Sequence, residues 1–193
     1  MPGYFFRYVV PKIGKNLAEA LVSLHSVRSM RGSLLPEHVW VTKKAEAILL
    51  LEPSTDPSAA SLQGPSSRKP LNAPEVELGG ESFSEQSDLF LLGCLLFRMA
   101  TGEDPYPAST GNKTAKPNVD TYRVPDKVAN ASRSTTTESL IFRVLAHAIA
   151  PRPESRFSTV QQFLAAWIAV ESSMEVKQAA AKPSRARSAE NTT

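Results

Sequence analysis

The sequence predicts a mainly helical domain that carries one small β-hairpin. Four segments have the apolar content or the helical spacing of packed helices, at residues 16–25, 89–99, 135–149 and 158–171. Two short apolar runs, residues 39–41 and 47–51, are separated by a polar turn, which is typical of paired strands. At 193 residues the chain is long enough to bury the core of one domain.

Residues 1–15 are predicted to be an N-terminal extension before the first helix. They contain basic residues, no acidic residue and an aromatic cluster: Arg7, Lys12, Lys15, Tyr4, Phe5, Phe6 and Tyr8. This composition fits either a mitochondrial targeting segment or an aromatic strip that covers the top of the domain. We favour the strip, because Pro2, Gly3 and Pro11 interrupt any long amphipathic helix.

The C-terminal half is predicted from its capping motifs. A Thr-x-x-Glu box at 135–138 begins a helix that reaches residue 149, and a Ser-x-x-Gln box at 158–161 begins one that ends near residue 171. The stretch 105–133, which contains three prolines, is predicted to be irregular. Residues 173–193 are rich in Ala, Ser, Lys and Arg without an apolar period, which predicts a disordered basic tail.

Composition excludes several classes of function. Hydrophobic residues make up 41% of the chain, as in globular proteins, and no apolar run approaches the roughly 20 residues that span a bilayer. The single cysteine, Cys94, lies in the apolar run 89–99, so it is expected to be buried, and a disulfide scaffold within this chain is excluded. A net charge of +3 without an aromatic basic patch predicts no nucleic-acid binding. We expect an intracellular, cytoplasmic protein, with mitochondrial targeting as the weaker alternative.

Residues 24–40 join the first predicted helix to the first strand and carry a distinctive motif. They read Leu-His-Ser at 24–26 and Leu-Leu-Pro-Glu-His-Val at 34–39. The segment resembles the protein-kinase catalytic loop, which follows a helix ending in Leu-His-Ser and reads His-Arg-Asp-Leu-Lys-Pro-Glu-Asn before an apolar strand. The positions that agree with the family are Leu34, Pro36, Glu37 and Val39.

Four further motifs follow in the order of a kinase C-terminal lobe. Ala-Pro-Glu at 73–75 resembles the close of the activation segment, and Ser-Asp-Leu-Phe-Leu-Leu-Gly at 87–93 resembles the start of the central buried helix. Thr-Gly-Glu-Asp-Pro-Tyr at 101–106 resembles the turn after that helix, and Pro-Glu-Ser-Arg-Phe-Ser at 153–158 resembles the segment before the last helix. The resemblance implies a kinase C-lobe-like domain over residues 16–172, mainly α with a small hairpin and without an N-terminal lobe.

The resemblance also implies that the catalytic positions are replaced. Ser33 stands where the family has its catalytic-base aspartate, Leu35 replaces a lysine, and His38 replaces the metal-binding asparagine. Glu52 lies where Asp-Phe-Gly is expected, and a lone carboxylate beside a proline is a poor magnesium site. We therefore expect no catalytic residue, no metal, no cofactor and no ATP binding.

Three charged residues match family positions whose role is architectural. Asp88 matches the aspartate that accepts hydrogen bonds from backbone amides of the catalytic loop, and the start of a helix favours a carboxylate. Glu75 and Arg156 match the family's buried ion pair, for which Arg and a carboxylate have a bidentate geometry; two unrelated surface charges are the alternative. His25 is expected to be a satisfied or partly exposed helical side chain.

The part of the chain before Ser33 lacks what a kinase needs to hold nucleotide. It contains no Gly-x-Gly-x-x-Gly, and it is too short for the N-terminal lobe. The chain resembles the noncatalytic C-lobe-only class, of which the KIND domain is an example that binds a peptide from a partner. We expect a pseudokinase scaffold or interaction module whose protein partner binds the exposed top, the grooves between the last helices or the Ser- and Pro-rich loop 53–70.

Two alternatives stay open at this point. One is a structural subunit of a large assembly. The other is half of a split serine/threonine kinase, completed in trans and using Glu52 with a borrowed base.

Overall fold

The computed structural model describes residues 8–32, 34–50, 72–79, 82–106, 122, 125–131 and 136–181. These residues form six α-helices and one antiparallel hairpin, the predicted class of fold. The helices are α1 Val10–Ser26, α2 Pro74–Gly79, α3 Glu85–Thr101, α4 Asp126–Ala131, α5 Thr137–Ala148 and α6 Val160–Ala181. The strands are β1 Val39–Val41 and β2 Ala47–Leu49, and short 3-10 turns lie at Pro36–His38 and Pro153–Ser155.

Helix α1 begins six residues before the predicted start at residue 16. Pro11 lies in its first turn, where a proline has no hydrogen bond to break and its fixed φ suits the helix. The expectation that Pro11 interrupts a helix here was therefore wrong, and residues 10–15 of the predicted extension 1–15 belong to α1. The predictions about residues 1–7 concern a segment outside the described residues.

The hairpin packs on α1 through one of its two faces. Trp40 pairs with Ile48 across the strands, and β2 ends at Leu49, two residues before its predicted end. Ala47 donates its amide hydrogen to Asn16 Oδ1 at 3.1 Å, and Lys12 Nζ donates to Lys44 O at 2.8 Å, so both the strand and the turn are tied to α1.

Helix α3 is the centre of the domain. Every residue from 87 to 97 is buried, as expected of a helix that is apolar on all sides. Its cap is Ser84, which exchanges hydrogen bonds with Ser87, so the helix begins four residues before the predicted run. Gly93 lets α5 approach closely, because a Cβ there would lie 2.8 Å from Ala148. Cys94 is buried as expected, and burial raises the pKa of its thiol.

The two C-terminal helices begin one residue later than their motifs suggested. Thr136, not Thr135, caps α5 by accepting from the Ser139 amide, and Thr159 accepts from the Gln162 amide at the start of α6. Helix α6 continues to Ala181, ten residues beyond the predicted end near 171 and into the segment predicted to be a disordered tail. Residues 182–193 lie outside the described part of the chain.

Two short helices were not predicted from the sequence. Helix α2 includes the Glu75 position, and α4 lies within the stretch 105–133 that was predicted to be irregular. Each has only six residues, too few for an apolar period to be recognised.

Helices α1 and α6 close the core on one side of α3. Trp167 is 1% exposed, stacks on Phe163 and donates its indole hydrogen to Pro11 O at 2.8 Å. A Cβ on Gly14 would lie 2.5 Å from the Trp167 ring, so the two helices are in direct contact at this glycine. Within the described residues, no helix is both long and apolar enough to cross a membrane.

Candidate functional site

The α1–β1 loop, residues 27–35, is held by one buried carboxylate. Asp88, in the first turns of α3, accepts hydrogen bonds from the amides of Arg31 and Gly32 through different oxygens, each at 2.7 Å. Asp88 is 1% exposed and does not cap its own helix, because Ser84 does so. The loop is therefore positioned through its backbone, and this contact does not depend on the loop's side chains.

His25 completes this cluster, a role that was not predicted from its position on a helical face. Its Nε2 lies 2.9 Å from Asp88 Oδ2, and its Nδ1 lies 3.7 Å from Glu85 Oε1. The imidazole therefore connects the end of α1 to the start of α3. The local sequence could not predict this contact, because Asp88 follows His25 by 63 residues in the chain.

Of the four positions predicted to be degenerate catalytic positions, the structure describes two, Leu35 and His38. His38 is buried, and its Nδ1 accepts the amide hydrogen of Leu35 at 3.3 Å, which uses the imidazole to shape the 3-10 turn. Leu35 is partly buried and has no charged group. Ser33 and Glu52 lie outside the described residues, so the expectations about them stay predictions.

Gly32 adopts φ +68°, a conformation that favours glycine, and its backbone lies against an aromatic ring. A Cβ at this position would lie 2.9 Å from the Phe83 ring. A larger residue at position 32 would therefore have to adopt an unfavourable φ and displace the Phe83 ring.

Glu75 and Arg156 form a bidentate ion pair. Arg156 Nη1 and Nη2 donate to Glu75 Oε1 and Oε2, each at 2.8 Å. The Arg156 side chain is 0% exposed and the Glu75 side chain is 7% exposed. The guanidinium also donates to three carbonyls and lies 4.7 Å from the Phe90 ring centroid. Those carbonyls belong to Gln86, Ala150 and Pro151. One side chain thus joins α2, α3 and the segment before α6.

The second face of the hairpin is apolar and exposed. We call it the outer hairpin face; it consists of Trp40, Ile48 and Leu50, which are 63%, 52% and 44% exposed. The opposite face, Val39, Ala47 and Leu49, packs against the core. Successive residues of a strand point to opposite sides, so the register that turns Val39, Ala47 and Leu49 toward the core places Trp40 and Ile48 on the other face.

Among the described residues, no group of three His, Cys, Asp or Glu side chains is arranged so that it could hold a metal ion. The Asp88 oxygens are occupied by two amides and His25. The arrangement holds a loop in place, and among the described residues the outer hairpin face presents three exposed apolar side chains.

Comparison with known proteins gives partial matches to bacterial kinases. No family model matches the chain. It is 36% identical over 91 residues to the serine/threonine-protein kinase PknJ of Mycobacterium tuberculosis, a match that covers 47% of this chain and 15% of PknJ. The kinase PknB of Mycobacterium leprae is 28% identical over 93 residues, or 48% of this chain and 14% of PknB. The matches thus span only about one seventh of these relatives.

The fold has a solved counterpart in the crystal structure of the M. tuberculosis PknI kinase domain. The two superpose with a TM-score of 0.54 at 21% identity, over 84% of this chain and 55% of the kinase domain. A match at this level of identity is evidence about the fold. The chain therefore has a protein-kinase-like fold whose helices and small hairpin correspond to the C-terminal lobe.

Proposed function

We propose that this domain is a noncatalytic pseudokinase lobe that binds another protein. The observation that carries the proposal is a division among the motif residues. The contacts that shape a kinase C-lobe are present, namely Asp88 with the loop amides and Glu75 with Arg156. The loop that Asp88 holds has a leucine and a buried histidine at positions 35 and 38, where the family has a lysine and a metal ligand.

Phosphoryl transfer depends on groups that orient the nucleophile and hold magnesium and phosphates. Ser33 is not a base at neutral pH, since a serine hydroxyl has no useful proton affinity without an adjacent base. Leu35 has no charged group that could bind a phosphate. His38 Nδ1 accepts a hydrogen bond from the Leu35 amide. Together these residues support a role without phosphoryl transfer.

The outer hairpin face supports the binding part of the proposal. Contiguous exposed apolar side chains mark interaction surfaces more often than isolated ones do. Trp40 and Ile48 are direct cross-strand neighbours, and Leu50 continues the same side of β2.

The absence of nucleotide binding is tested by thermal unfolding with and without Mg-ATP, with an active bacterial kinase domain as the positive control. A ligand at a hundred times its dissociation constant stabilises a protein by about 2.7 kcal/mol. We expect no rise in Tm with millimolar Mg-ATP for this chain. A clear rise that disappears when magnesium is chelated would overturn the noncatalytic proposal.

The binding role is tested by photo-crosslinking in the native cell. A photoreactive phenylalanine analogue at position 40 is compared with the same analogue at Val27, which is 72% exposed and lies outside both strands. We expect a discrete crosslinked protein from position 40 and none from position 27. Equal crosslinking from both positions would count against a specific surface.

A second function, half of a split kinase, draws support from one observation. The chain covers only 55% of the PknI kinase domain that it matches. If a partner supplied the remainder and Glu52 acted with it, the purified complex would phosphorylate a generic substrate, and Glu52→Gln would abolish that activity. A complex without kinase activity, or activity that survives Glu52→Gln, argues against this function.

A further inference from the structure

We propose that the outer hairpin face binds an extended peptide that alternates acidic and apolar residues. This inference rests on the proposed function, because it names the kind of partner that the same face accepts. Three properties of the described residues carry it: the apolar face itself, the positive charge at both of its ends, and an unpaired strand edge beside it.

Apolar contact supplies the centre of the proposed interface. Trp40 is the largest exposed apolar side chain on the hairpin and lies directly opposite Ile48. Tryptophan is among the residues that most often dominate the energy of an interface. A partner that covers Trp40 and Ile48 therefore needs apolar side chains at the same positions along its own strand.

Positive charge lies at both ends of this face. Lys43 and Lys44 are exposed at the hairpin turn, and Lys12 is tied to that turn through Lys44 O. At the open end, Arg31 is partly buried and donates through Nη2 to Leu50 O at 3.3 Å. Charge complementarity therefore favours an acidic segment over a basic one.

Two acidic side chains, Glu37 and Glu46, are also exposed near the hairpin. Glu46 lies 3.5 Å from the Thr42 hydroxyl in the turn. The exposed Lys43 and Lys44 equal these two acids in number, and the partly buried Lys12 and Arg31 add two further positive charges near the face. Electrostatics of this exposed kind adds specificity and association rate more than affinity.

The free edge of β1 favours a partner in extended conformation. The sheet has two strands, and β1 pairs only with β2 among the described residues. An extended peptide that pairs with β1 would place alternate side chains beside Trp40 on the outer face, since neighbouring strands lie about 4.8 Å apart. Its remaining side chains would then be free to carry the acidic groups.

The test uses fluorescein-labelled peptides of equal length and fluorescence anisotropy with the full chain. The probe alternates Glu and Leu, and the three comparison ligands are a Lys-Leu peptide, a Glu-Ser peptide and single-stranded DNA of equal charge. We expect the Glu-Leu peptide to bind and the other three to bind much more weakly. Equal binding of DNA or of the Glu-Ser peptide would show a purely electrostatic surface and overturn the proposal, as would equal binding of the Lys-Leu peptide.

Variants locate the binding on the hairpin. Trp40→Ser should weaken binding of the Glu-Leu peptide by about tenfold. Lys43→Glu combined with Lys44→Glu should weaken the same binding by roughly threefold. Val27→Ser is the matched control, because it removes an exposed apolar side chain elsewhere and should change nothing. Unchanged affinity in Trp40→Ser, with the fold verified by circular dichroism, would overturn the assignment of the site.

One competing occupant is a segment of the chain itself. Tyr4, Phe5 and Phe6 precede α1, and the sequence predicts that they cover the top of the domain. If the Glu-Leu peptide binds only after these three residues are replaced by serine, the natural occupant is this segment and the partner proposal fails. The Mg-ATP test does not involve this face, so a nucleotide response would refute the noncatalytic proposal while leaving the peptide result intact.

Discussion

Arg156→Met is the most informative single substitution in this domain. It removes both hydrogen bonds to Glu75, three hydrogen bonds to carbonyls and the contact with the Phe90 ring. Methionine replaces much of the volume but none of the donors, which leaves the Glu75 carboxylate, 7% exposed, without its cation. Loss of one partner of a buried pair costs about 3–5 kcal/mol. That loss is a large fraction of the roughly 5–15 kcal/mol that stabilises a typical domain.

Glu75→Gln removes the charge of the other partner in this ion pair. It should lower the free energy of unfolding by less than Arg156→Met does. Arg156 keeps its three carbonyl acceptors, and the glutamine oxygen still accepts one hydrogen bond. Loss of a hydrogen bond between charged groups is worth about 1.5–3 kcal/mol. In the double variant no carboxylate is left unpaired, so its cost should fall below the sum of the single costs by at least about 1 kcal/mol.

The measurement is urea unfolding followed by far-UV circular dichroism, with an unchanged m-value as the check on the transition. The matched control is Arg98→Met, because Arg98 and Asp104 also lie at 2.8 Å but their side chains are 28% and 48% exposed. An exposed pair contributes about 0–1 kcal/mol. If Arg156→Met costs no more than Arg98→Met, or if the two single costs simply add, the argument for a buried and coupled pair is wrong.

Two further predictions concern packing and titration. Gly14→Ala places a Cβ 2.5 Å from the buried Trp167 ring and should lower the free energy of unfolding by about 1–3 kcal/mol, measured by urea unfolding. The control is Gly102→Ala, which has no atom within 4 Å of the new Cβ and should lower the free energy of unfolding by only about 1 kcal/mol because of its positive φ. An equal loss of stability in the two variants would contradict the contact between Gly14 and Trp167. Burial, and after it the charge of Glu77, raise the pKa of Tyr122 to about 12 from its ordinary 10. The folded pKa exceeds the unfolded one, so this contribution to stability is complete below pH 10 and is lost as the pH rises toward 12. Absorbance titration of tyrosinate should show a lower pKa for Tyr122 in Glu77→Gln, and no change would refute this cause.

The class of fold could be predicted from the sequence because its strongest signals are local. The apolar run of α3 and the two short runs of the hairpin are visible without tertiary information. The starts of α5 and α6 were each predicted one residue too early, because two hydroxyl residues are adjacent at each predicted cap. Thr135 precedes Thr136, and Ser158 precedes Thr159, so sequence alone does not choose between neighbours that have the same capping chemistry.

Other features depended on partners that are distant in the chain. The role of Pro11 follows from its place in the first turn of α1 and from its carbonyl, which accepts from Trp167. His25 could be assigned only once Asp88 and Glu85 were brought beside it. The Glu75 and Arg156 pairing, by contrast, came from the family resemblance, since nothing in their local sequence relates residues 81 positions apart.

The Asp88 contact gives a physical reason why the position of this loop does not depend on most of its side chains. Asp88 binds the amide hydrogens of Arg31 and Gly32, and these hydrogens are present whatever the side chains are, except proline. The side chains at Ser33, Leu35 and His38 can therefore change without loss of the hydrogen bonds that position the loop. Glycine at 32 is the exception, because its φ and the Phe83 ring constrain that position. Loop shape and reactive chemistry are thus set by different atoms, and a domain can keep the first as a binding scaffold without the second.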